Sequence, residues 1–276
     1  MANRSKTESD YCDGCPLPIS PPHQRGIFSV LGVRFNALQI PDAIQQVEEW
    51  IELGTSGKYI CLSNVHSVIE ARRSSGFKNV LQSADLTVPD GMPLVWLGRL
   101  FGHDLKRRVY GPDLLLDFCR STSSKNYKHF FYGGAVGTPE TLAGELAKRF
   151  PRINIVGTYS PPFRSLSPQE DASTIDMINR AAPDLLWVGL GCPKQETWMY
   201  EHRHRINARV MIGVGQAFAI HAGHAPQAPL WMREQGFEWL FRLLLEPRRL
   251  WKRYLVYNTQ FLCLLFLDKL KFKSFD

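Results

Sequence analysis

The sequence predicts an α/β fold with a mainly parallel sheet, and three observations carry that reading. Short apolar runs alternate with stretches of helical spacing along most of the chain, the pattern of repeated strand–helix units. Leu185 to Gly189 is apolar or glycine throughout, as suits a strand buried on both faces of a parallel sheet. Glycines gather where strands stop, at Gly133 and Gly134 and again at Gly189 and Gly191. There they free the backbone where the chain turns and a ligand would approach it.

Taken in order, residues 1–25 are polar and turn-rich and read as a flexible tail. Ile27 to Phe35 reads as a short β element, a hairpin pivoting near Gly32. Pro41 to Leu53 carries Ile44, Val47 and Ile51 at helical spacing. Tyr59 to Leu62 reads as a strand, after which Ser63-Asn64 caps a helix reaching Arg73. That puts Asn64 at a strand's carboxyl end, where side chains face the ligand crevice of such folds. His66, one turn on, reads as packed or solvated rather than catalytic.

Asp85 to Asp90 is the next strand, with a helix following from Asp90-Gly91 through Leu100. Asp90 fits two roles there, a helix cap or a general base on a rigid element beside the crevice. Arg107 and Arg108 precede a helix through Phe118, as a phosphate clamp or as plain surface charge. His129 to Tyr132 is a strand, and Gly133-Gly134 with Gly137 forms a second anion cradle before Thr138 caps a helix to Phe150. The spacing there is G-G-x-x-G, and the following strand, Ile153 to Thr158, ends without an acid. Both features argue against a nicotinamide dinucleotide enzyme.

Ser167 to Ala181 is helical, and the strands Asp184–Gly189 and 209–213 follow. After Gly189 and Gly191, Pro193 suits the first turn of a helix, and Lys194, Gln195 and Glu196 stand at its mouth. Strand, glycine turn and helix start together form the usual anion site of an open α/β sheet. The same residues also fit an ordinary connection with a solvated first turn.

Composition narrows the function. The 276 residues are 44% hydrophobic with a formal charge of +7, enough for one large core. That charge is too diffuse for nucleic acid but suits an anionic substrate or membrane surface. Cysteines at 12, 15, 61, 119, 192 and 263 lie mostly in or beside apolar segments, as buried thiols of a reducing compartment do. Cys12 and Cys15 form a lone C-x-x-C. Neither His202 with His204 nor His221 with His224 has an evident completing ligand, so no metal is expected. No signal peptide opens the chain, and no stretch reaches the ~20 apolar residues of a membrane span.

From Trp231 the character changes. Trp239, Leu240 and Leu243 to Leu245 form an apolar face, while Arg242, Arg248, Arg249, Lys252 and Arg253 are opposed only by Glu246. Leu255 to Leu267 is rich in Leu, Phe and Tyr, and Lys269, Lys271 and Lys273 finish it. The combination suits a helix in an anionic membrane interface, with Leu255, Phe261, Leu262, Leu265 and Phe266 inserted. A helical pair docked on the core is the other reading.

Several stretches, in order, resemble one family. They are A-D-L-T-V-P-D-G-M, R-V-Y-G-P-D-L-L, F-Y-G-G-A-V-G-T-P-E, I-V-G-T-Y, V-G-L-G-C-P-K-Q-E and G-F-E-W-L-F-R-L-L-L-E-P-R-R-L-W-K-R-Y-L, within Leu31 to Leu255. The chain is thereby similar to the WecG/TagA/CpsF glycosyltransferases, glycosyltransferase family 26. The resemblance implies a Rossmann-like sheet with a small extra β element and a C-terminal helical appendage. Residues 26–229 would then be the glycosyltransferase core and 230–276 the membrane-associating appendage. It also implies inverting transfer of a hexose from a UDP-sugar to a saccharide on a polyprenyl-diphosphate carrier, without an essential metal or other cofactor. The sugar would be glucose, favoured on the S-N-V-H-S stretch, or N-acetylmannosamine or its uronic acid.

By the same resemblance Asp90 is the general base, Asn64 its neighbour, and Arg108 a diphosphate contact. Gln195 and the surrounding Pro193, Lys194 and Glu196 are donor-site residues, and Arg242 and Arg249 reach phosphate from the appendage. Two positions depart from the family pattern: Leu62 replaces a common hydroxyl residue, and Ala219 stands where many members carry an acid. The implied partners are a UDP-sugar, the lipid-linked acceptor and an anionic membrane, with a homo-oligomer allowed. The implied location is the cytoplasmic face of the inner (plasma) membrane, peripherally bound. The main alternative is a non-catalytic nucleotide-sugar-binding or scaffolding protein.

Overall fold

The computed structural model describes residues 26–273, with side chains through Asp268. The tail expected over residues 1–25, with Cys12 and Cys15, lies outside the described residues, as do the side chains of Lys269, Lys271 and Lys273.

The first strands, β1 (Ile27–Val30) and β2 (Val33–Asn36), pair antiparallel with Val30 opposite Val33. Between them Leu31 and Gly32 have φ of 49° and 80°, the left-handed pair that a tight two-residue hairpin turn needs. Phe28, Val30, Val33 and Phe35 all point into the core. Asn36 Oδ1 accepts from Thr87 N at 2.9 Å, fastening the hairpin to the main sheet.

That sheet has six strands: β3 (Lys58–Ser63), β4 (Leu86–Pro89), β5 (Lys128–Gly133), β6 (Asn154–Tyr159), β7 (Leu185–Gly189) and β8 (Val210–Gly213), in the order β4-β3-β8-β7-β5-β6. All neighbours are parallel, so every strand ends on the same edge. Alternation splits the side chains between two cores: Tyr59 and Cys61 enter one, Ile60 and Leu62 the other.

Helices α1 (Ile40–Glu52), α5 (Gly111–Thr122) and α6 (Thr138–Arg149) cover one face. Helices α2 (Val65–Arg73), α3 (Ser75–Gln82), α7 (Pro168–Ala181) and α8 (Lys194–His202) cover the other, and α4 (Met92–Leu100) joins them beside the hairpin. Short α9 (Ala217–His221) follows β8.

Several local expectations change. Helix α3 was not foreseen: Ser74 ends α2 and its Oγ accepts from Phe77 N at 3.2 Å, capping a second helix. Thr138 is not a cap, since Gly137, at φ 82°, holds that place and Thr138 Oγ1 instead meets His224 Nδ1 at 3.1 Å. Pro193 stands one residue before α8, after a cis peptide bond, and not in its first turn. Cys61 and Cys119 are buried as expected, whereas Cys263 is exposed.

Beyond Pro229 the chain is broken rather than one or two long helices. It forms α10 (Leu230–Glu234), α11 (Glu238–Leu245), α12 (Pro247–Trp251), a π-helical turn at Lys252–Val256 and α13 (Tyr257–Lys273). Gly236, at φ 78°, and Pro247 mark two of the breaks. Helix α13 returns onto α2: Phe261 is 2% exposed, Leu265 packs on the same core, and Arg73 Nη2 donates to Gln260 at 2.7 Å. Phe261 and Leu265 therefore belong to the protein's core and are not free for insertion elsewhere. Among the described residues no helix is long and apolar enough to cross a membrane.

Gly133 shows how tightly the strand ends are set. Its φ is 119°, and a Cβ there would stand 2.7 Å from the carbonyl carbon of Gly189. Gly133→Ala should cost about 2 kcal/mol or more, read as a lowered urea midpoint. An unchanged midpoint would show that the two strand ends can separate freely.

Candidate active site

The strand ends open into a cleft of about 830 Å³. Helices α2, α4, α5, α6 and α8 each follow a strand or loop at this edge and present their N-termini there. Their unpaired N–H groups and dipoles favour an anion. Helices α11 and α12 and the π-helical turn form the far wall. Five cations line the cleft, Arg108, Arg242, Arg249, Lys252 and Arg253, against three acids, Asp90, Glu238 and Glu246. The net positive lining suits an anionic ligand.

Asp90 follows β4, and its N–H donates to Ser63 O at 2.8 Å. It is not a helix cap: Gly91 holds that position of α4 without a side-chain bond. Asp90 Oδ1 is buried and has no hydrogen-bond partner among the described residues. Burial pushes its carboxyl up to about 7, with Glu238 adding to the rise and Arg108, Arg242 and Arg253 opposing it. A carboxyl with one oxygen free of partners among the described residues, titrating near neutrality in a cleft, can take a proton from a substrate hydroxyl.

Asn64 stands at the end of β3 and does cap α2, its Oδ1 accepting from His66 N at 3.0 Å. Asn64 packs on Gly91, the residue after Asp90, where a Cβ would lie 3.4 Å from Asn64 Cβ. His66 lines the same wall, stacked on Tyr257 with centroids 5.3 Å apart. Burial, aided by Arg253 and Arg73, lowers its pKa to about 3, so the ring is neutral. Its Nδ1 is buried without a partner among the described residues.

Opposite Asp90, Glu238 at the start of α11 binds three groups. Arg108 Nη2 and Tyr110 Oη donate to it, the latter at 3.0 Å, and Arg242 Nε lies 3.2 Å away. Arg108 Nη1 also donates to Asp90 O at 3.2 Å, and Arg242 Nη2 donates to Gln216 Oε1. The acid that opposes Arg242 is therefore Glu238 and not the expected Glu246. Arg249 is exposed and pairs with Glu246 at 2.6 Å.

The glycine turn after β7 is closed by Gln195. Its Oε1 accepts from Gly191 N at 3.0 Å and its Nε2 donates to Glu196 Oε1 at 3.0 Å. Gly189 and Gly191 line the cleft with Gly134, whose N–H donates to Gly189 O at 3.0 Å. Gly133, Pro193, Lys194 and Glu196 do not line it. Gly133 is a packing glycine, Lys194 points out to stack over Phe163, and Glu196 is fully buried beneath Gln195. Burial raises Glu196 to about 7, against its bonds to its own backbone and to Gln195.

Sequence reasoning gave no role in the site to Glu238, Tyr110 or Gln216, and gave Arg253 to a membrane surface. The signal for Glu238 was present in G-F-E-W, where an acid interrupts an apolar run just ahead of the basic cluster. Gln216 carried none. Of the histidines set aside as ligands, His202 has Asp171 at 2.8 Å, while His221 meets a backbone carbonyl at 2.9 Å. Among the described residues no group of three His, Cys, Asp or Glu side chains is arranged to hold a metal ion.

A six-stranded parallel sheet with a cationic cleft at its carboxyl edge, lined also by the Asp90 carboxyl, makes a site suited to an anionic ligand. The chain belongs to the glycosyl transferase WecG/TagA/CpsF family, whose model matches residues 28–274, and it is accordingly a glycosyltransferase. It is 32% identical over 199 residues to an N-acetylglucosaminyldiphosphoundecaprenol N-acetyl-beta-D-mannosaminyltransferase of Bacillus spizizenii, covering 72% of this chain and 75% of that one. A protein of the same name from Staphylococcus aureus is 27% identical over 226 residues, 81% of this chain and 85% of its own.

The buried Glu196 yields a stability test. Its folded-state pKa, about 7, lies above the ordinary 4.5, so its contribution is intact at acid pH and lost as pH rises through about 7. Glu196→Gln should match the parent at pH 5 and exceed it by as much as ~3 kcal/mol at pH 9, measured by urea unfolding. An advantage independent of pH would show that Glu196 is paired after all.

Proposed function

We propose that this glycosyltransferase moves a hexose, with inversion, from a UDP-sugar to a saccharide carried on polyprenyl diphosphate in cell-envelope glycan or exopolysaccharide synthesis. The observation that carries the reading is the unpartnered, buried Oδ1 of Asp90 at a strand end, faced by Arg108, Arg242 and Arg253. A sugar hydroxyl is a weak nucleophile near neutrality. Asp90 takes its proton as the oxygen attacks the anomeric carbon, and the bond to the UDP oxygen breaks on the opposite face. Asn64 orders the wall beside that hydroxyl. Arg108 and Arg242, with the backbone N–H groups around Gly134 and Gly191, take up the charge that develops on UDP.

Gln195 acts by holding the Gly191 turn, and Arg249 lies where it can reach phosphate by leaving Glu246. The relatives' names put N-acetylmannosamine first in a donor panel and glucose second. A lipid-linked acceptor calls for attachment to the bilayer, on the cytoplasmic face where nucleotide sugars occur. Residues 230–276 serve as the attaching appendage to a core of residues 26–229, and exposed Leu255, Leu262 and Phe266 are its apolar contacts.

The direct test is a panel of UDP-sugars with polyprenyl-diphosphate-N-acetylglucosamine, with the product detected by mass. Transfer should rise with pH through about 7, since the base works only when deprotonated. Asp90→Asn should lose roughly two or more orders of magnitude in kcat while UDP affinity, by calorimetry, changes little. Near-normal turnover by that variant would remove Asp90 as the base.

Membrane attachment is tested separately. Leu255→Ser with Leu262→Ser and Phe266→Ser should abolish co-sedimentation with anionic liposomes and leave the melting temperature almost unchanged. Undiminished sedimentation by a folded triple variant would rule out this surface.

A further inference from the structure

We propose that Glu238 is a positioning residue: its carboxylate holds Arg108 and Arg242 in place across the cleft and supplies the counter-charge that keeps Asp90 a useful base. The inference rests on Asp90 being the proton acceptor.

The geometry is that of a built junction. Glu238 is 7% exposed, and a carboxylate so buried must be paired to remain charged. Its two oxygens accept from Arg108 and Tyr110, both from the stretch before α5, and pair ionically with Arg242 of its own helix. Each arginine has a second anchor, Arg108 on the Asp90 carbonyl and Arg242 on Gln216 after β8. Glu238 is thus the central link of a chain from the backbone of the base to the loop after the middle strand. A guanidinium has five N–H donors. The named bonds saturate neither arginine, so phosphate oxygens can join them without expelling Glu238.

The second effect is electrostatic. The charged groups facing Asp90 are Arg108 from the loop before α5, Glu238 and Arg242 from α11, and Arg253 from the π-helical turn. Three are cations. Glu238 is the one acid among them, and it touches two of the three. Without it Asp90 would face unneutralised positive charge, which favours the carboxylate and weakens it as a base.

The test uses the full chain with ¹³C-labelled aspartate, the Asp90 carboxyl signal being assigned by its loss in Asp90→Asn. Its midpoint should lie near 7 in the parent and fall by about one pH unit or more in Glu238→Gln. The acid limb of the pH–kcat profile should shift with it, and kcat at its plateau should drop about tenfold. Donor KM should move less. Glu238→Ala, should the Gln variant fail to fold, opens room for a small carboxylate. Added formate should then restore both the midpoint and kcat, which a purely structural defect would not allow.

An Asp90 midpoint unchanged in a folded Glu238 variant would overturn the inference, as would an altered midpoint that formate leaves untouched. Absence of transfer by the parent with every donor would refute the proposed reaction, and the carboxyl titration would still decide the role of Glu238.

Discussion

Three carboxyl groups are wholly or partly withdrawn from water at one edge of this sheet, Glu196 and Glu238 buried and Asp90 half-buried, and a carboxylate taken out of water must be paired or protonated. Each meets the demand differently. Glu238 is charged and held by two arginines and a tyrosine, so its pKa falls below the ordinary value despite burial. Glu196 has the Gln195 amide on one oxygen and the Cys192 thiol nearby, and burial lifts it to about 7 against both. Asp90 Oδ1 has no hydrogen-bond partner among the described residues, and it rises likewise. Had Asp90 been given an arginine on its carboxylate, it would stay ionised and take up protons poorly. Arg108 instead binds its backbone carbonyl, bringing positive charge near the carboxyl without pairing with it.

The parallel sheet makes this arrangement possible. Strands running one way collect their ends, and the helix starts that follow them, on a single edge. Close approach there depends on missing side chains: a Cβ on Gly189 would stand 2.7 Å from the Phe218 ring, and one on Gly213 would stand 2.9 Å from Gln195 Nε2. These glycines let the floor of the cleft be packed backbone instead of projecting side chains.

The C-terminal segment completes the far wall by returning to the core at several points. Arg107 pairs with Glu234 at 3.0 Å, Arg233 with Asp113 at 2.9 Å, and Tyr257 stacks on His66. The exposed Arg107 pair contributes little by itself. The buried Glu238 cluster and Phe261 hold more firmly, because breaking either exposes an unpaired charge or an apolar ring. The same segment leaves Leu244, Leu255, Leu262 and Phe266 outward, giving it one face for the cleft and another for its surroundings.

The alternation of strands and helices, the hairpin at Gly32 and the glycine-rich strand ends were legible from residue order, because period and backbone freedom are local properties. So was the placement of Asn64 and Asp90 at strand ends and of Gln195 at the start of a helix, which follows from where strands stop. Between a cap and a base for Asp90, however, local sequence has no vote: the two roles differ only in whether Gly91 begins the helix and what surrounds Oδ1. The burial of Glu196 beneath Gln195, the outward turn of Lys194 and the pairing of Arg108 with Glu238, 130 residues away, are likewise decisions of packing. Sequence determined which residues reach the edge of the sheet. Tertiary structure decided which of them stay charged, because desolvation and distant counter-charges depend on segments far apart in the chain.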